Sequence, residues 1–144
     1  MSFADDLHSV RSVEELQPLI ASIPYAKFLG FSVQRDGADV IGRLAFSDRI
    51  IGNPHVRAVH GGALGAFLEL TAICQLLTTA ELPRVPKIVN ITVEYLRVAQ
   101  ATDTFARAVV THHGRRLANV RAYAYQSDPA KPIASANAHF LLAA

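Results

Sequence analysis

The chain has no tryptophan, one cysteine and one methionine in 144 residues, and only 18% of it is charged. Each shortage excludes something. The single thiol, Cys74, cannot form an internal disulfide, and its neighbours Ile73, Leu76 and Leu77 make it a small buried hydrophobe. A charged share below the roughly 25% usual for soluble domains leaves little to clothe a lone monomer, which predicts an oligomer that hides apolar surface between subunits. The formal charge is only +2, from 14 Lys and Arg against 12 Asp and Glu, and no basic run or arm accompanies it. The electrostatic footprint of a nucleic-acid binder is therefore missing. No uninterrupted apolar run reaches the roughly 18 residues of a membrane span, and the acidic opening MSFADDLHSVRSVEELQ has no signal-peptide core. A soluble, cytoplasmic protein without a membrane partner is expected.

What is present is patterned. SVEELQPLIASIP starts with Ser12 as an N-cap and Glu15 three residues on, followed by Leu16, Leu19 and Ile20 on one face. This predicts a short amphipathic helix with Pro18 near its first turn and Pro24 at its end. Two partly alternating apolar runs flank Asp36-Gly37 and predict a hairpin. Residues 61 to 80 contain three early glycines, no proline and dense apolar content over about five turns, the pattern of a helix buried on most sides. Four β-rich stretches follow, at 87–99, 103–114, 115–128 and 132–143, with reversals at Gly114-Arg115 and Asp128–Lys131. In the first of them Val89, Ile91, Val93 and Tyr95 alternate with Asn90, Thr92 and Glu94. The order predicts an α+β fold, an antiparallel sheet of about six strands curled around one long helix. It is read as a single domain over 1–144 with a helical N-terminal extension over about 1–26.

The chemistry concentrates in AVHGGALGAFLELTA, residues 58 to 72. Gly62, Gly65, Ala66, Glu69, Ala72 and Ile73 share one face of the predicted helix, so a carboxylate lies on a stripe of small side chains that permits close approach. Such a carboxylate loses hydration, and its pKa rises unless a donor pairs with it. Glu69 can be a structural acid at a subunit seam or a functional one. The residues before it favour the second reading. His60-Gly61-Gly62 opens the helix, where free N–H groups and the positive end of the macrodipole attract negative charge. An acyl carbonyl could rest there as in an oxyanion hole, with Glu69 two turns along as base or nucleophile.

HGG followed by Glu nine residues after the His, with EYLRVAQATD, THHGRR and IASANAHFLL downstream, resembles the hotdog-fold acyl-CoA thioesterases of the phenylacetate-degradation (PaaI-like) type, over roughly residues 28 to 143. The resemblance implies a hotdog fold, a homodimer or dimer of dimers, active sites at the dimer interface and an acyl-CoA substrate. It implies that Glu69 is the catalytic acid, that the Gly61 N–H polarises the thioester carbonyl and that Asn53, seven residues before His60, positions water or carbonyl. Asn90 and Thr92 are the nearest polar candidates for a contribution from the partner subunit.

Other residues carry weaker expectations. His60 reads as the residue that orients the loop, with Gly62 beside it against the substrate. His55 lies fourteen residues before Glu69 and opens an alternative, a hotdog β-hydroxyacyl dehydratase; a non-catalytic acyl-CoA-binding module is the other. Arg57, Arg97, Arg115 and Arg116 are candidates for CoA phosphates. His112 and His113 are adjacent on a strand and point to opposite faces, and His139 reads as a satisfied wall residue. No His or Cys pair has zinc spacing, and a thioester, being already activated, needs no cofactor.

Overall fold

A computed structural model describes residues 12–79 and 85–142. The first eleven residues of the expected N-terminal extension and most of the expected loop after the long helix lie outside them. Helix α1 (Val13–Ala21) opens on Ser12, whose extended backbone lets Oγ accept the Glu15 N–H at 3.2 Å and donate to Glu15 Oε1 at 3.0 Å. That is the predicted capping pair. Pro18 stands in the second turn of α1, not the first. Pro24 does not merely stop the helix: with φ preset, it starts a second one, α2 (Pro24–Leu29), which the sequence reading assigned partly to strand. Gly30, at φ +80°, closes α2 in the left-handed conformation and turns the chain into β1.

Strands β1 (Phe31–Asp36) and β2 (Asp39–Leu44) form the predicted hairpin around Gly37. A 3-10 turn (Asp48–Ile50) leads into β3 (Ile51–Asn53) and β4 (Ala58–Val59), a small two-stranded sheet where a plain loop was expected. The long helix α3 covers Gly61–Thr79. After it come β5 (Lys87–Tyr95), β6 (Thr104–His113), β7 (Leu117–Tyr125) and β8 (Ala134–Leu141). The main sheet is antiparallel with order β1-β2-β6-β7-β8-β5. β6, β7 and β8 are successive hairpins as predicted, but β5 does not pair with β6. The segment after Tyr95 crosses over, with the Leu96 and Arg97 N–H groups on Ile133 O at 2.8 and 3.1 Å, and β8 pairs between β7 and β5.

The inner face of β6, β7 and β8 is mostly alanine: Ala106, Ala108, Ala118, Ala122, Ala124, Ala134, Ala136 and Ala138 are buried, with Thr104, Val120 and Phe140 among them. Small side chains there leave room for α3, which buries Leu64, Phe67, Leu68, Leu76 and Leu77 against the sheet. By length and composition α3 could cross a membrane, which the run-length criterion missed. Its burial identifies it as the core helix. Gly42 of β2 lies beneath it, and a Cβ at that position would collide with Thr71 Oγ1 and approach Phe67 at 3.2 Å.

Two extra residues interrupt the strand alternation. Val89 is bulged out of the β5–β8 register and Thr111 out of β6–β7. Ile88 therefore packs toward the core while Val89 is 61% exposed, against the strict alternation read from sequence.

Gly42→Ala is expected to destabilise the fold by about 1–3 kcal/mol through overpacking. In a double-mutant cycle with Thr71→Ala, denaturant unfolding should show much of that loss recovered, because the obstructing hydroxyl is gone.

Candidate active site

The N-terminus of α3 is built by His60. Its carbonyl accepts the Leu64 N–H at 3.1 Å, which makes it the cap, and its Nδ1 accepts the Gly62 N–H at 2.8 Å. A neutral ring bonded this way carries its hydrogen on Nε2. Its own N–H donates to Ile50 O at 2.7 Å, tying the cap to the end of the 3-10 turn just before β3. Two glycines make room for it. A Cβ on Gly52 would come within 2.8 Å of His60 Cα, and one on Gly62 within 2.9 Å of Nδ1.

On the β5 side the helix mouth is walled by Tyr95, whose hydroxyl donates to Gly61 O at 2.7 Å. A Cβ on Gly61 would meet the Tyr95 ring at 3.2 Å. Sequence reasoning placed Tyr95 only as an apolar strand residue; its partnership with Gly61 has no sequence signal, since 34 residues separate the two. The Gly61 N–H has no acceptor among the described residues. With the helix dipole behind it, it is a free donor at the positive end of a 19-residue helix.

Glu69, eight residues after Gly61, is turned about 80° from it around the axis and stands about 12 Å further along the helix, while it is offset by only about 20° from Gly62. Its side chain leans back toward the N-terminus, which shortens that gap. Glu69 is half-buried, has no hydrogen-bond or ion-pair partner among the described residues, and burial pushes its pKa above the ordinary 4.5. Gly62, Gly65, Ala66 and Ile73 share its half-open stripe, whereas Ala72, expected on it, is buried beneath.

The other candidates divide by location. Asn53 follows Gly52, which packs on His60; its Oδ1 accepts the His55 N–H at 3.0 Å and closes an exposed turn. His55 stands exposed on that turn. Arg57, at φ +49°, reaches Asp48 at 3.1 Å and lies over the Phe46 ring. Arg97 belongs to the same end of the sheet: it donates to Pro132 O at 2.6 Å and lines a cavity of about 510 Å³ shared with Gln126 and Lys131. Arg115 and Arg116 do not join them. The β6–β7 turn lies at the far end of the sheet, beside Leu142, whose N–H bonds Arg116 O.

Asn90 and Thr92 are likewise not at the helix mouth of their own chain, because strand parity turns them to the outer face. Asn90 Oδ1 meets His139 Nδ1 at 2.8 Å, and His139 Nε2 meets Asn119 Nδ2 at 2.7 Å. Thr111 donates to Asn119 Oδ1 at 2.6 Å, completing a polar row across four strands. Buried Cys74 has its thiol pKa pushed up by desolvation, so it is no nucleophile. Among the described residues no three His, Cys, Asp or Glu side chains gather as metal ligands.

An antiparallel sheet wrapped on one long helix, with an unpaired carboxylate near a free helix N-terminus, defines the class as hotdog-fold thioester hydrolases. More particularly, residues 52–141 match the acyl-CoA thioesterase N-terminal domain, and the chain belongs to that family. A Chromobacterium violaceum protein is 33% identical, with 96% of this chain and 95% of that one covered and a TM-score of 0.75. A phenylacetic acid degradation-related protein from Ralstonia eutropha JMP134 is 27% identical over 84% of this chain and 92% of its own, TM-score 0.73. A Bacillus halodurans protein solved with CoA shares the fold at 17% identity, TM-score 0.74, over 83% and 78%. A comparison with curated protein sequences gives no match.

A carboxyl with a higher pKa folded than unfolded destabilises the fold when ionised. That loss sets in above the unfolded value and is complete once the pH passes the folded one. Glu69→Gln should therefore melt above the wild type at about pH 8, and the difference should shrink toward zero near pH 4. Melting curves of both proteins across that range check it.

Proposed function

We propose that the protein hydrolyses an acyl- or aryl-CoA thioester to the free acid and CoA at a site completed by a second copy of the chain. One observation carries the reading: the Glu69 carboxylate is unpaired and desolvated on a stripe of small residues that opens at the unoccupied Gly61 N–H. A thioester oxygen set on that N–H gains stabilisation as it becomes an oxyanion. Glu69 then takes a proton from water as the water oxygen bonds to the acyl carbon; the C–S bond breaks and the thiolate leaves, to be protonated. Alternatively the carboxylate itself attacks the acyl carbon and expels the CoA thiolate, which is protonated, and water then cleaves the resulting anhydride to regenerate Glu69 and release the acid. Asn53 orients the water or the carbonyl, and His60 holds Gly62 and the cap in place.

The need for a second copy rests on the sheet edges. The β1 edge is covered by α1, with Gln17 Oε1 accepting the Val33 N–H at 2.9 Å. β5 pairs only with β8 among the described residues and exposes Val89 and Tyr95, with exposed Leu96 just beyond its end. A partner strand on β5 would lay its subunit over the Glu69 stripe, giving a dimer, and the exposed outer face permits a dimer of dimers. Arg57 and Arg97, at the mouth end, suit the CoA phosphates. Arg115, Arg116, Asn90 and Thr92 could serve only a neighbouring subunit's site. CoA as the carrier is supported by the CoA-bound fold neighbour. The dehydratase reading gains nothing from His55, exposed on its turn.

Offered acyl-CoA esters with a thiol reagent, the wild type should release CoA, and Glu69→Gln should lower kcat by about 10²–10⁴-fold with little change in KM. Equal rates would overturn the role of Glu69. Because the base acts ionised, kcat should rise with pH through a limb above 4.5 that vanishes in Glu69→Gln. A single turnover in heavy-oxygen water separates the routes: label in Glu69 marks direct attack.

A further inference from the structure

Tyr95 ends β5 with its ring turned toward α3, yet the residue stays 55% exposed, so core packing does not account for it. Its backbone is fixed on both sides. Tyr95 pairs with Ala134 of β8, and the Leu96 and Arg97 N–H groups that follow both donate to Ile133 O. The hydroxyl is thus a fixed point set against the first turn of α3, with Oη 2.7 Å from Gly61 O. A carbonyl only accepts, so the phenol hydrogen lies in this bond.

That bond falls on a particular peptide unit. The carbonyl of the Gly61–Gly62 peptide is taken by Tyr95, and its N–H, that of Gly62, is taken by His60 Nδ1 at 2.8 Å. Two side chains therefore grip one peptide plane at both ends. The plane before it, His60–Gly61, has its carbonyl on the Leu64 N–H at 3.1 Å and its own N–H free among the described residues. The two planes meet at the Gly61 Cα, and their orientations set its φ and ψ. Consecutive glycines put no Cβ in the way of rotation there, so without the clamp the first turn is loosest where the free donor has to be aimed. A stiffer residue is no substitute, because a Cβ on Gly61 would stand 3.2 Å from the Tyr95 ring.

Resting on the thioesterase reading above, we propose that Tyr95 is a positioning residue for the hydrolysis: together with His60 it clamps the Gly61–Gly62 peptide and so aims the Gly61 N–H at the thioester oxygen. Tyr95 acts through the peptide and not on the substrate. Its contribution grows as the carbonyl oxygen becomes an oxyanion, since a misaimed donor loses most where charge develops. The effect therefore belongs to kcat and leaves KM nearly alone.

The test compares the wild type with Tyr95→Phe, which removes only the hydroxyl, and Tyr95→Leu, which removes the ring as well. On an acyl-CoA ester that the wild type turns over, Tyr95→Phe should lower kcat by about tenfold or more with KM changed less than about twofold. The pH limb that belongs to Glu69 should not move. Full kcat in Tyr95→Phe with a loss only in Tyr95→Leu would mean that the ring merely fills space, and overturns the proposal. A loss carried by KM alone overturns it too. In a His60→Ala background the peptide is already free at one end, so the Tyr95→Phe loss should shrink to about twofold; an undiminished loss there rules out a shared clamp. Tyr95 is exposed and Phe keeps its shape, so the fold should persist, and melting curves verify it. Amide relaxation by NMR separates this proposal from the reading beneath it. Order parameters of Gly61 and Gly62 that fall in Tyr95→Phe while the rest of α3 is unchanged, with no wild-type turnover of any ester, sink hydrolysis and keep the clamp. Turnover that Tyr95→Phe leaves untouched sinks the clamp and keeps hydrolysis.

Discussion

The contact between α3 and the alanine-lined face of β6, β7 and β8 governs the rest of the structure. A helix this apolar must be covered on most sides, and a sheet with methyl groups for its inner surface lets the helix backbone approach closely enough for that. The sheet curls around the helix but leaves one strip of it facing outward. That strip is where α3 carries its glycines and its one carboxylate. The same packing that makes the core therefore fixes the direction in which Glu69 and the first-turn amides face.

Electrostatics at that strip run against stability. An unpaired carboxylate in partly apolar surroundings is costly when ionised, and a helix mouth with a free N–H leaves a donor without its acceptor. The neighbouring groups hold this arrangement in place without satisfying it. His60 occupies the Gly62 amide, Tyr95 occupies the Gly61 carbonyl, and neither touches the Gly61 N–H. Gly52 and Gly62 are small because the imidazole needs their space. Catalytic sites commonly carry such local deficits, balanced by a well-packed scaffold elsewhere.

Much of this was legible in the sequence, for identifiable reasons. The Ser12–Glu15 cap, the Asp36-Gly37 turn, the buried span of α3 and the hairpins of β6 to β8 all depend on interactions a few residues apart, or on periodicity. The prominence of Glu69 beside HGG was legible because an acid among small and apolar neighbours is conspicuous. What escaped depended on distant partners. The placement of β5 beside β8 is set by the crossover after Tyr95, which no local pattern encodes. α2 was hidden because Pro24 reads equally as a stop and a start. Asn90, Thr92, Arg115 and Arg116 have the right chemistry for a site, but strand parity and sheet topology carry them elsewhere.

The bulge at Val89 restricts what can join the sheet. Where a strand's outer amides and carbonyls keep a regular spacing, another chain can add to it; an extra residue breaks that spacing and ends the template. The uninterrupted part of the β5 rim runs from Asn90 to Tyr95, which is the half beside the opening of α3. Any strand added to this rim would have to align there, so a single inserted residue limits the registers open to it.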